Sequence, residues 1–416
     1  MTHNGYADTS EARQALHHRT QSVVMASQVF SGAGLAAGVT VGALLAQDML
    51  GTSSLSGLPS ALFTAGSAGT ALVVGHLSQR LGRRAGLTAG YAAGALGGAG
   101  VVAAAALDNV VLLLACLFVY GAGTATNLQA RYAGADLAEP DRRGRAVSAV
   151  LVATTAGAVI GPNLVASTGR AAQHFHIPAL AGPFALASLA YAIAGTILFA
   201  LLRPDPLRVS SALRTPTPGN LGAPARPARS AAAGVAAGAA TMILTQLVMV
   251  AVMTMTPIHM KAHGHDLAAT GLVISVHIAA MYLPSPITGI LVDRVGRTPV
   301  AVGAGITLLA AGVVSATAPD DSVPLLTVAL ALLGLGWNLG LVSGTAMITD
   351  AAPVETRAGI QGTIDLCIAL AGAGGGVASG IIMTATSYAT LSVGGGLLAL
   401  AVIPFVVSAA RRAVPG

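Results

Sequence analysis

Charge, aromatic side chains and cysteine are all scarce in this sequence. Of its 416 residues 9% are charged and 4% aromatic, against 54% hydrophobic, and mean hydropathy is +0.75. A water-soluble domain of this length has no way to cover so much apolar surface, so lipid is the main solvent. Cys116 and Cys367 both fall inside apolar runs and match no metal-knuckle or redox spacing, so they carry no disulfide framework and leave the compartment unmarked. No catalytic constellation and no Walker-type phosphate loop is present; neither an enzyme nor an ATP-driven pump is expected, and no cofactor.

What fills the chain is a series of apolar runs. They predict membrane-spanning helices near 23–47, 56–79, 86–107, 110–133, 146–169, 181–202, 233–258, 269–292, 299–318, 323–348, 358–384 and 389–410, each near the roughly 20 residues a bilayer span needs. The first run is longer than the apolar core of a cleaved secretory signal and reads as a span. Residues 203–232 carry six prolines and five arginines and predict a flexible loop. The expected organisation is therefore a tail (1–22), a six-helix bundle (23–202), a linker (203–232), a second six-helix bundle (233–410) and a tail (411–416): an all-α integral membrane protein. Its 52 glycines, such as Gly90, Gly94, Gly97, Gly98 and Gly100, suit close helix packing.

The net charge of +6 is topological and implies no nucleic-acid partner. With the amino terminus inside, 19 of the 21 basic residues lie in inner segments and only Arg170 and Lys261 outside. That bias predicts both termini in the cytoplasm and location in the plasma (inner) membrane.

The halves share a repeat. Gly75-His-Leu-Ser-Gln-Arg-Leu-Gly-Arg-Arg84 follows the second span and Gly289-Ile-Leu-Val-Asp-Arg-Val-Gly-Arg-Thr298 the eighth, 214 residues later. Glycines Gly75, Gly82, Gly289 and Gly296 permit tight turns, while Arg80, Arg83, Arg294 and Arg297 can bind headgroups or helix C-termini. The pattern resembles the G-x-L-x-D-R-x-G-R signature of the major facilitator superfamily, whose members are secondary transporters built from two six-helix bundles. Asp293 keeps the signature's acid, whereas Gln79 stands in its place in the first copy, which puts a charge-locked contact in that half in doubt. Gly157-x-x-x-Gly161-Pro162 in span five is similar to a motif of proton-driven antiporters; a plain close helix crossing is the alternative. Leu117 occupies the place where many antiporters carry an arginine.

Ionisable groups at bilayer depth are costly and often functional. Asp365 lies about two turns into span eleven, where a carboxyl can carry a coupling proton or serve as an arginine's structural partner. Arg131 is expected to pair with Asp136 or a headgroup. Spans seven and eight carry Met249-x-x-x-Met253 and His277-x-x-x-Met281, each pair on one helix face. Eleven methionines in 416 residues give about 0.3 such Met pairs by chance, so the weight rests on two pairs at one depth on consecutive helices. Thioether and imidazole suit Cu(I); ordinary packing is the alternative. His259, Met260, His263 and His265 at the outer mouth can capture a metal, helped by Asp266, or form a solvated loop. Trp337, Asn338 and Gln361 can stack against and hydrogen-bond a flat organic solute, or simply pack.

The Met and His pairs resemble the CcoA-like (CalT) branch of the superfamily, which includes copper importers and riboflavin importers. The resemblance implies Met249, Met253, His277 and Met281 as metal-handling residues. The leading expectation is Cu(I) import by alternating access, Cu(I) being cargo. Riboflavin-like import and proton-coupled efflux stand beside it. The expected partners are the bilayer, a small solute or metal ion and a coupling proton, for a monomeric protein.

Overall fold

The structure, a computed structural model, describes residues 10–50, 58–213 and 228–413. Residues 1–9 and 414–416 of the two tails, and 214–227 of the linker, lie outside the described residues. The helices are α1 (Ser10–Leu50), α2 (Leu58–Leu81), α3 (Arg83–Ala106), α4 (Val110–Ala135), α5 (Arg143–Asn163), α6 (Val165–His174), α7 (Gly182–Leu201), α8 (Pro206–Ala212), α9 (Ala228–Ala262), α10 (Leu267–Tyr282), α11 (Ser285–Arg294), α12 (Arg297–Thr317), α13 (Val323–Ala351), α14 (Arg357–Ala385), α15 (Tyr388–Ala399) and α16 (Val402–Ala413). Ten stretches among the described residues are long and apolar enough to cross a bilayer. The other two expected spans correspond to α1 and to α5 with α6.

Local chemistry explains most of the differences from the sequence reading. Span eight is divided at Pro284 into α10 and α11, because proline lacks an N–H and crowds the carbonyl four residues back. The linker is not all loop: Asp205 caps α8, its carboxylate accepting from the Leu207 and Arg208 amides at 3.1 and 3.3 Å. The first tail is helical from Ser10, and α9 starts at Ala228 rather than 233. Short polar side chains open four more helices by accepting an amide of the first turn: Asn109 for α4, Asp266 for α10, Ser322 for α13 and Ser387 for α15.

Two compact units form, and they do not coincide with the sequence halves. The first takes Met1–Ala138, Ala149–Gly222 and Val354–Ala369; the second takes Glu139–Ser148, Ala223–Pro353 and Leu370–Gly416. Thus the start of α14 packs with the first half, and the start of α5 with the second.

In the first unit, successive turns of α3 bring Gly90 against Thr126, Gly94 against Gly123 and Gly97 against Tyr120 of α4. A Cβ at any of these would collide, as expected of small-residue membrane packing. Tyr91, Tyr120, Phe184 and Tyr191 form the aromatic centre of that core. In the second unit, Gly340 and Gly344 of α13 meet Thr245 and Met242 of α9, and Gly334 meets the His277 carbonyl of α10.

Candidate functional site

The repeat builds two related clamps, one in each unit. In the second, the Asp293 carboxylate accepts from the amides of Gly144 (2.8 Å) and Arg145 (3.0 Å) at the start of α5, and from Arg145 Nε at 3.1 Å. In the first, Gln79 Oε1 accepts from the Ala358 amide at the start of α14 (2.8 Å), and its Nε2 donates to the Val354 carbonyl (3.3 Å). Asp293 and Gln79, and Ala358 and Gly144, each differ by 214 in number, the repeat offset.

The arginines follow the same rule. Arg83 Nε donates to Asp136 at 2.8 Å and Arg297 Nε to Asp350 at 2.9 Å, again 214 apart on both sides. Arg143 also pairs with Asp350, and Arg297 reaches the Pro140 carbonyl. Gly82 and Gly296 turn the chain at φ of 95° and 106°, a region that glycine enters without a Cβ penalty. Gly75 and Gly289 lie under the gripped helices, against Gly362 and Gly144. Arg80 and Arg294 are exposed in the last turns of α2 and α11, where a cation favours the helix dipole. The doubt about the first copy is thus resolved in geometry: the amide of Gln79 makes the same grip without the charge.

One buried pair breaks the repeat. Arg131 Nη2 donates to Asp365 Oδ1 at 2.7 Å, and the Tyr132 hydroxyl donates to the same oxygen at 3.2 Å. This corrects the expectation that Arg131 would meet Asp136 or a headgroup, since Asp136 belongs to Arg83. Asp365 Oδ2 has no hydrogen-bond partner among the described residues. The positions 214 away are Thr345 and Leu151, so no equivalent pair can form in the other copy. Gln361 accepts from Arg83 in this unit, so its carbonyl is engaged by the clamp rather than offered to a solute.

In the second unit α9 and α10 flank α13. At about 100° per residue, Leu330, Gly334 and Asn338 form the stripe that meets α10, and Trp337, Gly340 and Gly344 the stripe that meets α9. Trp337 sits at the border. Its Nε1 donates to Gln246 of α9 at 2.7 Å, and Tyr282 of α10 meets the indole edge-on, 5.8 Å between ring centres. Met249 lies one turn along α9 from Gln246. The Met pair on α9 and the His–Met pair on α10 therefore lie alongside the same stretch of α13, Leu330 to Asn338, about 12 Å long.

Met249, His277 and Met281 are buried and Met253 half-buried. His277 Nδ1 hydrogen-bonds the Leu330 carbonyl at 2.8 Å, while its buried Nε2 has no partner among the described residues. Asn338 is spent on the fold: it donates to the Met281 carbonyl and Ser285 hydroxyl, both at 2.7 Å, and accepts from Thr288 at 2.6 Å.

At the end of α9, His259 and His263 gather around Asp320, a residue the sequence reading did not single out. Met260 is fully buried. His265 Nε2 bonds the Asp320 backbone carbonyl at 2.8 Å. Asp266 is the cap of α10, accepting from the Ala269 amide. In span five, a Cβ on Gly157 would strike the α1 backbone at Val29 and Ala33, which is the close-crossing reading. Gly161 is buried and α5 ends two residues later, while the Pro162 side chain is outside the described residues.

A polar network in the first unit also escaped the sequence reading. Tyr91 donates to Gln28 Oε1 at 2.5 Å, Gln28 Nε2 to Thr154 at 3.1 Å and the Asn127 carbonyl at 3.0 Å, and Asn127 to Ser31 at 2.7 Å. The readable signal was a glutamine and an asparagine deep in apolar runs.

Residues 23–281 and 238–415 match the family model described as Major Facilitator Superfamily. The chain is 56% identical over 405 residues to an uncharacterized MFS-type transporter, YdeG, of Bacillus subtilis, covering 97% of this chain and 94% of that one. It is 33% identical over 334 residues to the riboflavin transporter RfnT of Brucella anthropi, covering 79% of each. Among solved structures it resembles the human organic anion transporter MFSD10, with a TM-score of 0.75 at 15% identity over 94% of this chain and 99% of that one.

Proposed function

Since the chain belongs to the Major Facilitator Superfamily, a family of membrane transporters rather than enzymes, we propose that it moves a small organic solute by alternating access, the solute being a flat, hydrogen-bonding ring system of riboflavin's kind. The observation that carries this reading is Trp337. The indole, held by Gln246 on α9 and Tyr282 on α10 and only 5% exposed in this structure, is a rigid aromatic group at bilayer depth, and rigid aromatic walls with few polar groups recognise flat ligands. The 33% identical riboflavin transporter supports the same class. The charge bias supports action in the cytoplasmic membrane with both termini inside.

Asp365 is the proposed proton carrier. Its Oδ1 is held by Arg131 and Tyr132 while Oδ2 is left open, and the pair has no repeat counterpart, as a device serving coupling rather than scaffold would not.

A second reading, Cu(I) import, has its own observation. His277 presents Nε2 as a buried donor with Nδ1 anchored on a backbone carbonyl, the arrangement that prepares an imidazole for a metal, with three methionines at the same depth. The test is uptake of labelled riboflavin in a riboflavin-requiring strain expressing wild type or Trp337→Phe and Trp337→Ala variants. Uptake above the empty vector, kept in part by Phe and lost with Ala, is expected. No riboflavin uptake by wild type, together with copper accumulation under reducing conditions that a Met249/Met253/His277/Met281 quadruple alanine variant abolishes, would replace this reading with the second.

A further inference from the structure

We propose that His259, His263 and Asp320 form a binding site for a divalent transition-metal cation of the zinc class, at the C-terminal end of α9. The three donors lie within 4.8 Å of one another. Asp320 Oδ1 stands 3.7 Å from His259 Nε2, and Oδ2 stands 3.5 Å from His263 Nε2. These spacings are too long for hydrogen bonds. Donors at roughly 2.0–2.1 Å from one tetrahedral ion stand about 3.3–3.4 Å apart, so an inward movement of the side chains would bring these three onto one ion.

The histidines are oriented for this purpose. His263 Nδ1 donates to the His259 carbonyl at 2.8 Å, which fixes its tautomer and leaves Nε2 with a free lone pair toward Asp320. The His259 ring lies flat on Tyr388, 4.3 Å between centres and 12° between planes. The Tyr388 hydroxyl is in turn bonded to Thr256 at 2.9 Å. Asp320 belongs to the connection between α12 and α13, and the bond from His265 to its carbonyl holds that connection beside α9.

Two imidazoles and one carboxylate make a borderline donor set that suits Zn²⁺, Co²⁺ or Ni²⁺, with a water in the fourth position. It lacks the thioethers that favour Cu(I) and the six to eight oxygens that Ca²⁺ takes. The site is independent of which solute is carried. Its effect would be to tie the end of α9 to the connection before α13.

The test is a titration of the purified full-length protein in detergent with Co²⁺, read by the visible absorption of low-coordinate cobalt. Wild type is expected to bind one equivalent, displaced by Zn²⁺ and not by Ca²⁺ or Mg²⁺. His263→Ala and Asp320→Asn should each weaken binding about tenfold or more, as the loss of an inner ligand requires, while keeping the wild-type elution profile. His174→Ala should bind as wild type. No stoichiometric binding by wild type, or unchanged affinity in either site variant, would overturn the assignment.

Discussion

The two clamps do one job with different chemistry. Asp293 grips the start of α5 with a full charge that is 1% exposed, and the first amides of a helix favour an anion there. Gln79 grips the start of α14 through the same geometry but brings no charge, and adds a bond of its own to Val354. In the Asp293 copy Arg145 pairs with Asp293, and Arg143 and Arg297 both pair with Asp350; in the Gln79 copy the place of the Arg297–Asp350 pair is taken by the fully buried Arg83–Asp136 pair. The lesson is that position, set by the repeat, is retained while charge is optional. What the repeat does not impose, above all Arg131–Asp365, is where function is to be sought.

That comparison can be broken at its strongest bond. Arg83→Ala leaves Asp136 buried without its partner and should cost about 3–5 kcal/mol, read as a drop in thermal stability and abundance in membranes. Arg297→Ala should cost less, since Asp350 keeps Arg143 and is more exposed. Asp293→Ala removes an acceptor from two helix-start amides and a guanidinium and should cost about 2 kcal/mol. Gln79→Ala should cost about 1 kcal/mol. Equal losses for these two would show that charge adds nothing to the grip. The smallest effect is the most pointed: Gln79→Asp should leave stability within about 1 kcal/mol of wild type.

Much of this fold is legible in the sequence because a bilayer demands long apolar helices and a repeat announces itself by spacing. Pro284 marked a break that reading apolar runs alone passed over, and the Asp205-Pro206 pair marked a cap hidden in the linker. The exchange of segments between the units was not legible, because it depends on pairings such as Arg131 with Asp365, 234 positions apart. Arg131 had a plausible nearer acid, Asp136, and only the fold assigns that acid to Arg83. At the candidate site, the depth match of Met249 and His277 could be counted in residues. Gln246 and Asp320 could not, since neither residue type stands out without its neighbour.

The most direct measurement is riboflavin transport by proteoliposomes holding wild type or Asp365→Asn, with and without an inward proton gradient. Wild type should accumulate solute above the external concentration only with the gradient, and Asp365→Asn should exchange solute but not accumulate it. Gradient-driven accumulation by Asp365→Asn, or no riboflavin movement by wild type, would contradict the account.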